Sequence, residues 1–288
     1  MTAPEFIVCG GCHVDRHLRL TAPPRPGRTN PADADDRLGG VATNIAVQLA
    51  GRGMAVRLVS VQTPDGLGAM TARLVAAGID PWLVPLEGAS PGYTAILAPD
   101  GELLMGAAAM SLYDAVSASL IRPGLAEISA PIIMDANFPA ATIAGIVSEY
   151  GATRRLLAAG TSIAKVGRLA AVLPSLDALV LNRGEAATLL GQEMTVGSMA
   201  STLASQLRDG GSVLVSDGAD MAALALGEAV VTAPPPRVRL VNANGAGDVM
   251  AARLFSDLTR QLDMTLAARL EAALAAGATH AAGANAEV

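Results

Sequence analysis

The sequence predicts an α/β fold in three layers (α/β/α), a mainly parallel sheet between two layers of helices, with a small β lid at one edge. Three observations lead there. Short apolar runs of strand length recur along the chain, amphipathic runs of helix length separate them, and two stretches suited to neither layer interrupt the alternation. Strands covered by helices on both faces read as continuous apolar runs, which is what parallel sheets require.

In chain order the strand candidates are 6–10, 56–61, 132–136, 156–159, 178–182 and 213–216. Helical patterns lie between them at 42–51, 66–77, 143–150, 166–173 and 198–207, and two more, 245–261 and 264–276, close the chain. The interruptions are 14–37, rich in Pro, Arg and Asp, and 93–110, which reads as strands 94–98 and 102–106 around the turn Pro99-Asp100-Gly101. Neither belongs in a three-layer sandwich. Both suit a flap that shields a site from water, or that pairs with another subunit along an exposed edge. The expected lid therefore comes from about 14–37 and 91–112, within one catalytic domain spanning 1–288.

With 51% hydrophobic and 16% charged residues, the chain has the composition of a well-cored globular protein. Its net charge is −6 and no basic stripe occurs, which argues against a nucleic-acid surface. No run approaches the ~18 apolar residues of a membrane span, and the start lacks a leader pattern, so the chain reads as cytoplasmic. Cys9-Gly10-Gly11-Cys12-His13 matches redox and haem-attachment patterns on paper. The absence of an export signal, of further metal ligands and of a helix after Cys9 reads instead as small residues at a strand end.

Three elements carry chemistry. In Asn244-Gly245-Ala246-Gly247-Asp248 a glycine turn opens a long helix. Glycines let the backbone approach an anion, and the first helical amides, unpaired within the helix, point at it. Asp248, in the first turn, is placed to take a proton from a hydroxyl attacking a phosphoryl group. In Gly39-Gly40-Val41-Ala42-Thr43-Asn44 a glycine pair again opens a helix. Asn44 offers donor and acceptor to vicinal hydroxyls, although a tight turn with a solvated Asn44 fits the same residues. In Asn182-Arg183-Gly184-Glu185 the two polar residues suit the water shell of Mg²⁺ and equally a helix capping box.

Taken in this order, Gly-Gly-x-x-x-Asn, Asn-x-x-Glu and Gly-Ala-Gly-Asp, the chain resembles the ribokinase-like, or PfkB, family of sugar and nucleoside kinases over nearly its whole length. The resemblance is nearest to the pseudouridine kinases. It rests there on Gly92-Tyr93-Thr94-Ala95, Met110-Ser111-Leu112-Tyr113-Asp114, Asp135-Ala136-Asn137-Phe138-Pro139 and Ser162-Ile163-Ala164-Lys165, whose Lys165 is the only lysine in the chain.

The resemblance implies ATP-dependent transfer to the 5′-hydroxyl of a ribosyl nucleoside, with Asp248 as base and Gly245, Ala246 and Gly247 cradling the transferring group. It implies Asp15, Gly39, Gly40, Asn44, Tyr93, Thr94 and Lys165 at the acceptor. Asn182, Ser216, Asp217, Gly218 and Asn244 fall at the nucleotide, and Glu185 at Mg²⁺ through water. A homodimer joined through the lids is the expected assembly.

Three positions depart from the family pattern. Asn242-Ala243-Asn244 stands where Asp-Thr-Thr is frequent, which leaves K⁺ dependence open. Thr43 stands where pseudouridine kinases commonly have Arg, and Met221 replaces a glycine after Gly218. Another sugar or nucleoside (ribose, fructose, adenosine) is the alternative acceptor, and a silent nucleoside-binding regulator the alternative class. A dinucleotide-dependent dehydrogenase fits poorly, since Gly10-Gly11 lacks the G-x-G-x-x-G spacing.

Overall fold

The structure, a computed structural model, describes residues 3–126, 129–241 and 244–283. Strand β1 (Phe6–Cys9) enters the body, and the chain then leaves it for a lid ribbon, β2 (His13–Leu20) and β3 (Ala32–Gly39). It returns through α1 (Val41–Gly51), β4 (Val56–Gln62), α2 (Pro64–Ala76) and β5 (Asp80–Pro85), then leaves again for the hairpin β6 (Gly92–Leu97) and β7 (Leu103–Ala109). Helices α3 (Ser111–Asp114) and α4 (Ala118–Leu125) lead to β8 (Ile132–Asp135), α5 (Ala140–Tyr150), β9 (Leu156–Ala159) and α6 (Ile163–Val166). After a 3-10 helix (Gly167–Ser175) come β10 (Ala178–Asn182), α7 (Arg183–Leu190), α8 (Val196–Ala204), β11 (Ser212–Ser216), β12 (Ala222–Leu226) and β13 (Ala229–Ala233). Helices α9 (Ala246–Thr259) and α10 (Leu266–Ala281) complete the described chain.

The main sheet has nine strands in the order β13-β12-β11-β10-β9-β8-β1-β4-β5. Its pairs from β11 through to β5 are parallel, and β12 and β13 add an antiparallel edge. Every residue of β1, β8 and β9 is buried, so each face carries its own core. Phe138, Ile143 and Leu203 lie on one side, and Ile45, Leu49 and Phe255 on the other. The carboxyl ends of the parallel strands, at Cys9, Asp135, Ala159, Asn182 and Ser216, open together on one rim, where ligands of open α/β sheets bind.

The two interruptions form one four-stranded sheet, β3-β2-β6-β7. Strand β2 pairs antiparallel with β3 and parallel with β6, joining the early ribbon to the later hairpin. The segment 166–173, expected as an α-helix, is instead the end of α6 followed by the 3-10 turn. Pro174 lies inside that turn and has no amide to donate to an α-helical ladder. Strand β5 carries Pro81 and Pro85 and sits at the sheet edge, where a missing donor is tolerated.

Candidate active site

Gly245 caps α9 in the left-handed region, with φ +82°. The first helical bond runs from the amide of Val249 to the carbonyl of Gly245, 3.0 Å, so the amides of Ala246 and Gly247 precede the intrahelical ladder. A Cβ built on Gly247 would meet nothing, and the turn is open to a ligand. Asn244 anchors it from behind, its carbonyl 2.8 Å from Nε2 of His280 on α10. The lead-in Asn242-Ala243, on which the K⁺ expectation turns, lies outside the described residues.

Asp248 stands one residue beyond the turn, in the first turn of α9. Its Oδ2 accepts a 2.7 Å hydrogen bond from Nδ2 of Asn44 in the first turn of α1. Burial pushes its carboxyl up to about 7, the Asn44 bond pulls the other way, and the charges of Asp135, Glu185 and Asp15 push up again. Such a carboxylate is a competent base near neutral pH.

Helix α1 reaches this point because Gly40 turns into it at φ +98°, and a Cβ there would collide with the carbonyl of Gly11. That carbonyl accepts from the Thr43 hydroxyl at 3.0 Å, which turns Thr43 inward, away from the cleft. Gly39 lies against the carboxylate of Asp15, where no side chain would fit. Asp135, at the end of β8, holds the floor together. Its Oδ2 accepts from the amides of Gly11 (2.9 Å) and Ala42 (3.1 Å) and from Nδ2 of Asn137 (2.8 Å).

Two cavities meet at Asn244 and Gly245. One, about 560 Å³, runs between the lid ribbon and α1, with Asp15 and Asn44 at its inner end. The other, about 350 Å³, contains Asp248, Asn182, Glu185 and Ser216. Asn182 and Glu185 form a complete capping box. The Asn182 side chain accepts from the amide of Glu185 at 2.9 Å, and the Glu185 carboxylate from the amide of Asn182 at 3.0 Å. Glu185 is 4% exposed and lies across Gly160, where a Cβ would strike its carboxylate; burial raises its carboxyl pKa. Capping and a place at the cavity wall therefore coexist in this residue.

The remaining candidates divide. Asp217 is bound to Arg183 at 2.9 Å, and Gly218 is exposed at φ +56°; neither lines the two cavities. Nζ of Lys165 donates to Oδ1 of Asn137 at 2.7 Å, and burial lowers the pKa of its ammonium. Tyr93 pairs across the lid with Asp15, and Thr94 with Arg16, so the two point to opposite faces of the sheet. Tyr93 shares the face of Asp15, Thr94 lies on the other, and neither lines the two cavities. The motif Cys9-Gly10-Gly11-Cys12 holds two free, buried thiols whose pKa values burial raises, so neither thiolate forms readily. Asp135 stood in a motif of the resemblance without a role there, and Gly160 and His280 had no motif to mark them; the fold brings all three to the site.

A glycine turn at a helix N-terminus, a carboxyl raised toward neutrality in its first turn and a lid beside the carboxyl rim of a parallel sheet suit a small-molecule phosphotransferase. The chain matches the pfkB family carbohydrate kinases over residues 20–288 and belongs to that family. It is 29% identical over 272 residues to a 1-phosphofructokinase of Rhodobacter capsulatus, covering 88% of this chain and 84% of that protein. A carbohydrate kinase from Agrobacterium tumefaciens superposes with TM-score 0.82 at 28% identity, over 95% and 89% of the two chains. The ribokinase of Arabidopsis thaliana, solved with ribose and ATP, has the same fold with TM-score 0.77 at 18% identity, over 97% and 93%. The protein is a kinase of this family.

Proposed function

We propose that the protein transfers the γ-phosphoryl group of ATP to the 5′-hydroxyl of a ribosyl nucleoside, with pseudouridine the foremost acceptor. The observation that carries this reading is Asp248, raised to about 7, held by Asn44 and set beside the open Gly245–Gly247 turn. Asp248 takes the hydroxyl proton as the new O–P bond forms, and the helix amides stabilise charge on the transferring group. Asp15, Gly40 and Asn44 hold the ribose hydroxyls, and Tyr93 covers the base from the lid. Asn182 and Ser216 serve the nucleotide from the second cavity, with Asp217 and Gly218 just outside it. Mg²⁺ fits the second cavity, where the buried carboxylate of Glu185 suits an ion that keeps its water shell; when bound it neutralises phosphate charge.

The likeness to a 1-phosphofructokinase raises a phosphorylated sugar as the rival acceptor. Charge in the acceptor cleft disfavours it. Asp35 and Asp36 are ion-paired with Arg37 and Arg16, so the charge that faces a dianionic acceptor is the carboxylate of Asp15 beside Asn44, which no Arg or Lys among the described residues pairs. A neutral nucleoside or free sugar carries no such penalty. A silent binding regulator would have no use for the base.

Strand β7 is exposed along its whole length, with Leu103, Leu104 and Met105 uncovered at a free sheet edge. We assign this edge to a second copy of the chain, giving a homodimer through the lids. No helix among the described residues is long and apolar enough to cross a membrane.

ATP consumption measured with pseudouridine, uridine, adenosine, ribose, fructose and a fructose phosphate tests the reading, with Asp248→Asn as control. The highest kcat/KM is expected for pseudouridine. A higher value for another acceptor discards pseudouridine alone, and an Asp248→Asn variant as active as the parent discards the mechanism.

A further inference from the structure

Asp15 is the acceptor carboxylate with the least explained surroundings. Its Oδ1 is buried and has no hydrogen bond in good geometry, a costly state for a carboxylate oxygen. The one polar group poised against it is Nε2 of His13, at 3.2 Å. His13 opens β2 and is 5% exposed. Its other nitrogen, Nδ1, lies 3.0 Å from the hydroxyl of Tyr113, on α3 just after the lid hairpin. That hydroxyl also accepts from the amide of Cys12 and donates to the carbonyl of Cys12, both at 2.8 Å. Tyr113 is fully buried, so this string of polar groups is sealed from water up to Asp15.

The proton positions follow from the neighbours. Facing a carboxylate, Nε2 carries the hydrogen; Nδ1 is then an acceptor for the Tyr113 hydroxyl, whose single proton is shared with the carbonyl of Cys12. A small turn of the imidazole brings Nε2–H into line with Oδ1. Asp15 would then have one lone pair filled from behind, and its remaining lone pairs would be directed to the cleft.

We propose that His13, backed by Tyr113, is a positioning residue for Asp15 and thereby determines acceptor affinity. This rests on the reading of Asp15 as the grip on the acceptor hydroxyls. The string also touches two of the four connections between body and lid, at Cys12 and at Tyr113, so movement of the lid on the body is coupled to the aim of Asp15. The Cys12-His13 dipeptide, which fits no haem or redox role here, thereby acquires a function.

The test uses the intact protein with pseudouridine and ribose as probe acceptors. His13→Leu and Tyr113→Phe are expected to raise acceptor KM about 10-fold and 3-fold, the range for losing one buried hydrogen bond, with KM for ATP unchanged. His13→Gln, which keeps a donor, is expected to recover part of the loss. Asp15→Asn should also raise acceptor KM, and its combination with His13→Leu should be less than additive. The proposal is overturned if Asp15→Asn raises acceptor KM while His13→Leu does not, or if His13→Leu raises both KM values alike. A cycle of unfolding midpoints over positions 13 and 15, taken without acceptor, separates the two levels. Coupling there, with acceptor KM unmoved by either substitution, discards the acceptor reading of Asp15 and the role of His13 with it; absence of coupling discards the pair itself.

Discussion

The side chains of Asn44 and Asp248 meet at 2.7 Å across 204 residues of sequence, joining the first turn of α1 to the first turn of α9. Each helix opens on a glycine, Gly40 and Gly245, at positive φ. Helices α1 and α9 are thus tied through the carboxylate of Asp248, the proposed base. Asn44 donates to the ionised form of Asp248 and so works against the burial that makes Asp248 basic.

The pH dependence of kcat/KM follows. With Asp248 as the proposed base, activity requires its ionised form and is expected to rise with pH through about 7 and level off above it. Asn44→Leu removes the bond that favours ionisation and is expected to move this limb upward by about one pH unit, the size of one hydrogen bond to a charge. A profile measured between pH 5 and 9 reads it; an unmoved limb would show that Asn44 does not tune the base.

Replacing Asp248 with Asn should lower kcat by about 10²–10⁴-fold, the usual worth of a general base. Stability should move the other way. The carboxyl titrates near 7 in the fold against 3.8 in its ordinary state, so the folded protein binds the extra proton across that interval. Its stability therefore falls as pH rises from about 4 to 7, and the full penalty is present above. At about 1.4 kcal/mol per pH unit, reduced because the open cleft screens the charge, the variant should gain about 1–2 kcal/mol at pH 8. It should gain little at pH 4. Urea unfolding at both pH values checks the sign.

Glu185→Gln separates capping from metal binding. Glutamine serves a capping box as glutamate does, so the unfolding midpoint should stay or rise as a buried charge is lost. The Mg²⁺ concentration for half-maximal rate should increase about 10-fold, as found when groups around a bound metal are replaced. An unchanged Mg²⁺ response would leave capping as its whole role.

Gly40→Ala forces a Cβ against the carbonyl of Gly11 at a backbone angle that side chains rarely adopt. A loss of about 2–3 kcal/mol in unfolding free energy is expected. Because Gly40 sets the direction of α1, KM for the acceptor should rise more than KM for ATP in steady-state kinetics.

The parallel strands were legible because burial on both faces leaves an unbroken apolar run; the expected spans 156–159 and 178–182 coincide with β9 and β10 at both ends. Strand β5 was hidden by Pro81 and Pro85, which only an edge position tolerates. Strand β12 was hidden by alanine, which shows no period of two, and β13 by its brevity at the exposed sheet edge. At the site, Gly245 to Asp248 stood out because local sequence and local chemistry coincide there. The Asn44 bond to Asp248, the packing of Glu185 over Gly160 and the knot at Asp135 join residues far apart in the chain. The opposition of Tyr93 and Thr94 was readable, since neighbours in a strand face opposite ways, once 92–97 is taken as one strand.

The carboxylate of Asp135 receives the amides of Gly11, Ala42 and Asn137 and the Asn137 side chain, four donors on one buried group. The turn after β1, the entry to α1 and the loop after β8 are thereby a single rigid block before any small molecule arrives. Whatever freedom is surrendered on binding is then surrendered mainly by the lid, and that entropy is subtracted from the affinity. Changes along β7, which lines neither cavity, would register as tighter or weaker binding with the chemical step untouched.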